Sequence, residues 1–311
     1  IKKNVMRGKM KSVIVTGANG FVGSEIVRNL VRNGYKVFAL YNRSKKRLDS
    51  IPDCVPVHCP MDEFEKLPEL IKETPEYIFH CAWTGSAGQD RCNVQLQLSN
   101  VVSTCSLVSV AKALEAKRLI VTGSIMEDEV KAVTDANGAL PSKAYIYGAA
   151  KYSAHMMAKP LAVASGIDLV WGKITNAYGV GELSPRMLNT TIKKCINLEA
   201  PTFTAATQNY DFIYISDVAE AFRLLAEKGA PYSEYIVGSG GAKPLRSFLE
   251  ELRVTVGNGL RFLYGDIPFT GVNLPLESFS TEKLNKDTGF KPEVDFTQGV
   301  KLTRDWLKEQ E

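Results

Sequence analysis

The chain has 311 residues, 45% of them hydrophobic and 23% charged, with a formal net charge of +4; this is a globular composition and excludes a collagen-like or low-complexity chain. Lys2, Lys3, Arg7, Lys9 and Lys11 stand in the first eleven residues without an acid, and the remaining 33 basic and 34 acidic groups nearly cancel; the excess is thus confined to the first eleven residues, of which 1–9 are expected to form a flexible basic tail, and nucleic acid is not an expected partner. No uninterrupted apolar run reaches the roughly 18–20 residues of a membrane span, and the six cysteines form no Cys-x-x-Cys pair, so no membrane contact, reduced thiols and a cytoplasmic location are expected.

Residues 12–15 (Ser-Val-Ile-Val) read as a short strand that ends at Gly17, and Val22, Ile26, Leu30 and Val31 then fall at helical spacing until Gly34. Further strands are predicted at 37–40, 77–80, 119–122 and 167–171, with helical stretches near 63–74, 94–115 and 148–165 between them. Pro160 is expected to bend the last helix or end it early. Cys54, His58 and Cys59 lie close together, but no second cluster completes a ligand set, and no metal site is expected. Alternating strand and helix implies an α/β fold with a parallel sheet covered on both faces. After Asn176 the rhythm loosens, with strands at 212–215 and 234–237, which reads as a smaller mixed α/β C-terminal domain.

Two features carry chemistry. Thr16-Gly17-Ala18-Asn19-Gly20-Phe21-Val22-Gly23 joins the first strand to the first helix. There Gly17 permits a sharp turn, Gly20 lets a pyrophosphate approach the backbone, Gly23 lets helix and strand pack closely, and the amides of the helix start face an anion. Tyr-x-x-x-Lys pairs occur twice, Tyr41 with Lys45 and Tyr147 with Lys151. Only the second opens a helix, 23 residues after Ser124, which stands at the end of a strand. A lysine one turn from a tyrosine stabilises the phenolate and brings an otherwise weak base toward neutral pH.

The Gly-x-x-Gly-x-x-Gly turn, Ser124, and Tyr147 with Lys151 in this order resemble the extended short-chain dehydrogenase/reductase superfamily, that is, its NAD(P)-dependent nucleotide-sugar epimerases, dehydratases and reductases. The resemblance runs from about Met10 to the C-terminus. It implies a Rossmann-type doubly wound parallel sheet at 10–176 with a returning segment at about 209–238, and a substrate-binding domain at 177–208 and 239–311. It implies catalytic roles for Ser124, Tyr147 and Lys151, and a nicotinamide cofactor held by Gly17, Asn19, Gly20, Phe21, Val22 and Gly23, by the segment of His80 and Ala82, and by Tyr147 and Lys151. His80 itself reads as structural. Where NAD-using relatives carry an acid after the second strand, this chain has Asn42, Arg43, Ser44 and Lys45, a set suited to a 2′-phosphate, so NADP is expected over NAD. Asp62 is the nearest candidate for an acid beside the adenine.

The resemblance also implies a nucleotide-sugar substrate bound by Ser124, Met126 and Asn176, with Tyr210 in place of an arginine that often holds diphosphate. Asp217 reads as a helix cap. Glu127, Asp128 and Glu129 stand one to three positions too far from Ser124 for the acid and base of a 4,6-dehydratase. A 4-keto-sugar reductase with Tyr147 as general acid is therefore expected, ahead of an NAD-retaining epimerase, a dehydratase or a non-enzymatic dinucleotide sensor. The long helices near 94–115 and 148–165 are expected to pair in a homodimer through a four-helix bundle.

Overall fold

The computed structural model describes residues 10–138 and 140–310, so the expectation for the tail at 1–9 lies outside the described residues. The strands are β1 (Ser12–Thr16), β2 (Lys36–Tyr41), β3 (Cys54–His58), β4 (Tyr77–His80), β5 (Arg118–Ser124), β6 (Asp168–Ile174), β7 (Asn176–Tyr178), β8 (Thr202–Phe203), β9 (Asn209–Tyr210), β10 (Phe212–Tyr214), β11 (Ser233–Val237), β12 (Lys243–Pro244) and β13 (Leu263–Tyr264). The helices are α1 (Phe21–Arg32), α2 (Leu67–Leu70), α3 (Val94–Ala113), α4 (Met126–Asp135), α5 (Tyr145–Ser165), α6 (Met187–Ile196), α7 (Ile215–Lys228), α8 (Leu245–Val256), α9 (Glu282–Thr288) and α10 (Phe296–Lys308).

Seven strands form one parallel sheet in the order β11-β6-β5-β4-β1-β2-β3. The fold is Rossmann-like α/β. Successive side chains of its central strands enter opposite cores: Val13 and Val15 pack into the core shared with α1, α7 and the C-terminal helices, whereas Ile14 packs into the core under α3 and α5. Each strand therefore reads as an unbroken apolar run, because both faces are covered. The chain leaves β1 for β2 on one side and reaches β4 on the other, which opens a crevice at the carboxyl ends of β1 and β4.

Several elements differ from the expectations. β3, absent from the predicted strands, is an edge strand whose Val55 and Pro56 are exposed and which carries proline, so neither a periodic apolar face nor strand propensity marks it. The stretch near 63–74 is a 3-10 turn at Met61–Lys66 followed by the single-turn α2. Pro160 does not end α5, which runs unbroken to Ser165 and stops at Gly166 with φ +70°. Pro160 is exposed, so the carbonyl it deprives of a partner faces solvent. β10 pairs with β7 rather than joining the large sheet, while β11 extends that sheet beside β6.

α8 and α10 are tied to the β7–β10 pair by aromatic packing, with Phe212 5.0 Å from Phe248 and Phe248 4.9 Å from Phe296, centre to centre. Asp217 lies in the first turn of α7 rather than capping it. Its carboxylate accepts from the amides of Glu293 (3.0 Å) and Val294 (3.1 Å), which anchors the segment leading into α10.

Candidate active site

The glycine turn forms one wall of a 340 Å³ cleft, and Ser124, Tyr147 and Lys151 line it as well. Gly17 has φ +63°, and a Cβ there would stand 2.6 Å from the backbone nitrogen of Ala82; a Cβ on Gly23 would collide with the carbonyl of Gly17. The turn therefore admits only glycine at both places. α1 begins with no side-chain cap and no acid in its first turn, which leaves its amides open to an anion. The cradle and the free amides fit the diphosphate of a dinucleotide. Phe21 and Val22 also line this wall.

Asn19 uses its side-chain oxygen to accept from the amide of Arg47 (2.9 Å), and Arg47 in turn donates to the carbonyl of Gly181 (2.6 Å). The residues expected to meet a 2′-phosphate sit differently. The carbonyl of Lys45 accepts from the amides of Leu48 (2.7 Å) and Asp49 (3.1 Å), a turn that returns Arg47 to the cleft wall and leaves Asn42, Arg43, Ser44 and Lys45 exposed on its shoulder. No carboxylate stands between Tyr41 and Leu48, and the first one after them, Asp49, lies 3.5 Å from Lys45. Asp62 is exposed and outside the cleft wall, because Pro60 opens the 3-10 turn that carries it.

His80 is buried behind the cleft, bonded at Nδ1 to Thr16 (2.8 Å) and at Nε2 to Thr104 (3.0 Å). Burial lowers its pKa to about 3, so it is neutral and structural. Thr16 also accepts from the amide of Ala82 (3.2 Å), which holds the backbone of Ala82 against Gly17.

Ser124 ends β5, and its hydroxyl accepts from the amide of Met126 (3.2 Å). Its own amide donates to Glu127 (2.8 Å). Glu127 is completely buried and also accepts from Trp171 Nε1 (3.0 Å), while His155 Nδ1 lies 3.2 Å away. Asp128 pairs with Lys173 (2.9 Å). Two of the three carboxylates after Ser124 are thus committed to the wall itself. Glu129 is left with a carboxyl that burial pushes up to about 7.

Tyr147 and Lys151 occupy one face of α5, and both are buried. Burial raises the Tyr147 phenol above its ordinary value, against the opposing influence of Arg91, Arg186 and Ser124. Lys151 donates to the carbonyl of Thr122 (2.8 Å) and lies 3.8 Å from the centre of the Trp83 ring. Burial brings its pKa down to about 8.

A second cavity of 250 Å³ adjoins the cleft, with Ala177, Glu182 and Arg186 in both walls. Asn176 lines it, its amide nitrogen donating to the carbonyl of Asp211 (3.0 Å). Tyr210 is there too, and the cations are Arg91 and Arg186. Met126 lies outside both walls and touches Arg91. Trp83, Arg91 and Arg186 were not among the sequence candidates, and Arg47 entered only as the end of the basic run that starts at Arg43. They stand in loops and short turns with no spacing or period to mark them, and only the fold returns them to the crevice.

The model of the NAD dependent epimerase/dehydratase family matches residues 13–238. CDP-abequose synthase of Salmonella muenchen is 23% identical over 296 residues, covering 94% of this chain and 96% of its own length. The dTDP-glucose 4,6-dehydratase of Haemophilus influenzae is 22% identical over 335 residues, covering 96% and 98%. The solved UDP-N-acetylglucosamine 4-epimerase from Methanobrevibacter ruminantium superimposes with a TM-score of 0.81 at 23% identity, covering 98% of this chain and all of that one. The glycine turn, the ordered serine, tyrosine and lysine, and the match over most of the chain together make this protein an enzyme of the NAD dependent epimerase/dehydratase family, within the extended short-chain dehydrogenase/reductase superfamily.

Proposed function

We propose that this enzyme is an NADP-linked reductase of a nucleoside-diphosphate 4-keto sugar, with Tyr147 as general acid. The observation that carries the reading is the convergence of Ser124, Tyr147 and Lys151 on a cleft whose other wall is the glycine turn, beside a cavity lined by Asn176 and two arginines. The dinucleotide, when bound, supplies hydride to a substrate carbon or takes it away. Tyr147 gives its proton to the oxygen at that carbon, Ser124 holds that oxygen, and Lys151 positions the cofactor ribose. The commitment of Glu127 and Asp128 to Trp171, His155 and Lys173 supports reduction over 4,6-dehydration, which needs a further acid and base.

The 2′-phosphate reading rests on Arg43, Ser44 and Lys45 and on the lack of an acid between Tyr41 and Leu48. Their exposure favours a second reading, an NAD-retaining epimerase using the same Tyr147. The six free thiols suit a reducing compartment such as the cytoplasm. The exposed apolar faces of α3 and α5 suit a second copy of the chain.

The deciding experiment offers nucleoside-diphosphate 4-keto sugars with NADPH and with NADH and follows loss of the reduced nicotinamide. Turnover that persists in Tyr147→Phe removes the reading, and interconversion of sugar epimers without net oxidation of cofactor replaces reductase by epimerase.

A further inference from the structure

The loop between β4 and α3 is built around a buried glutamine. Gln97, with no exposed surface, accepts from Trp83 Nε1 (2.8 Å) and donates to the carbonyls of Gly85 (2.9 Å) and Asp90 (3.0 Å). Asn100 adds two bonds to the backbone of Thr84 (2.8 and 2.9 Å). The loop so held places the guanidinium carbon of Arg91 4.5 Å from the centre of the Tyr147 ring. Among the described residues no carboxylate lies within 4.0 Å of Arg91, its Nε is buried without an acceptor, and its far end rests on the thioether of Met126.

A half-buried guanidinium whose Nε has neither anion nor acceptor is costly unless a neighbour takes up negative charge. The group beneath it does so whenever Tyr147 has given up its proton. Lys151, by contrast, is directed to the Thr122 carbonyl and the face of Trp83.

We propose that Arg91 is a positioning residue for the reaction, supplying over the ring of Tyr147 the fixed positive charge that holds the phenolate. The proposal rests on Tyr147 being the proton-transfer group of the preceding section. Other charged or polar groups face Tyr147 from each packed element: Arg186 from the segment before α6, Ser124 from β5, Glu127 from α4, and Lys151 on its own helix. Arg186 is shared with Glu182 (3.4 Å), Glu127 opposes ionisation and Lys151 is bonded to the Thr122 carbonyl, so among the described residues Arg91 is the cation that lies over the ring with neither an ion pair nor a carbonyl partner. A guanidinium also keeps its charge at alkaline pH, where Lys151 loses its own through about 8. Glu129 gains charge as pH passes about 7 and tempers Arg91 above that point.

The test places 3,5-difluorotyrosine at position 147 of the full chain, which brings its ionisation into a range where the fold persists, and follows it by fluorine NMR across pH. Arg91→Met should raise the midpoint by about one unit, a tenfold change in proton affinity, and Arg91→Lys should recover at least part of it. A midpoint unmoved in Arg91→Met and displaced in Lys151→Met overturns the proposal. Arg91→Gln gives the same reading should the methionine variant fold poorly. No substrate or cofactor enters the measurement, so its outcome is independent of whether the reductase reading stands.

Discussion

Tyr147 and Lys151 sit one helical turn apart, yet their surroundings pull on them in opposite senses. Both are taken out of water, which favours the neutral form of each. The lysine is then protonated in the folded state only below about 8, whereas the unfolded chain keeps it protonated to about 10.5. Between those values the unfolded state binds more protons, so stability rises with pH across the window; below about 8 the burial cost is present in full. Lys151→Met should therefore stabilise the protein by roughly 1–3 kcal/mol at pH 7, with the gain shrinking toward pH 10, as read by melting curves at several pH values. The same variant should lose turnover. Tyr147→Phe should cut turnover by about 10²–10⁴-fold, the usual span for loss of a general acid, in a protein that calorimetry shows still to bind cofactor. The meeting of Ser124, Tyr147 and Lys151 on one cleft was legible because a strand end and a helix start in fixed order carry them. Arg91 was not, since its place over Tyr147 depends on Gln97 pinning a loop, and nothing in Gly88-Gln89-Asp90-Arg91 announces that.

At the scale of elements, the proposed preference for NADP turns on the segment after β2. Its turn at Lys45 aims Arg47 inward and leaves Arg43 and Lys45 free at the rim, with only the 3.5 Å pair to Asp49 to hold Lys45. A 2′-phosphate at the rim would draw both in, and a charge-assisted bond is worth about 1.5–3 kcal/mol. Arg43→Ala and Lys45→Ala should each weaken NADP binding by about tenfold while leaving NAD binding unchanged, measured by calorimetric titration of both. Equal loss for the two cofactors, or tighter NAD binding in the unsubstituted enzyme, removes the preference. The strands and helices of the first half were legible where both faces of the sheet are covered and apolar runs are long. β3 escaped because its exposed edge breaks the pattern, and β8, β9, β12 and β13 escaped because strands of two residues have no period, whereas β10 falls within the strand expected at 212–215. Pro160 misled for a different reason: a proline on the solvent face of a long helix costs one bond and leaves the inner packing of Ala154, Ala158 and Ala162 intact.

For the molecule as a whole, α3 poses a question of what covers its outer face. Its inner side buries Gln97, Asn100 and Thr104 along with Val101, Leu107 and Val108, whereas Val94, Leu98 and Val102 are 49%, 49% and 65% exposed at spacings of four. Among the described residues it is the one helix long and apolar enough to suit a membrane span, with a mean hydropathy of 1.2, yet its buried polar side chains are bonded into the loop and to His80. α5 packs beside it and exposes Met156, Met157, Leu161 and Val163 at 44–56%. Two adjacent helices with apolar outer faces form a patch larger than isolated surface residues account for. A twofold axis through that patch would set α3 and α5 against their counterparts and close it without leaving an open end. The unsubstituted chain should then sediment as a dimer, and Val102→Glu combined with Met156→Glu should sediment as single chains with an unchanged far-ultraviolet spectrum, because neither side chain enters the core of its own chain. Since α5 also carries Tyr147 and Lys151 and α3 carries Gln97, separation of the chains should lower turnover as well. A double variant that remains dimeric would place the second copy on another face and leave this one to be explained.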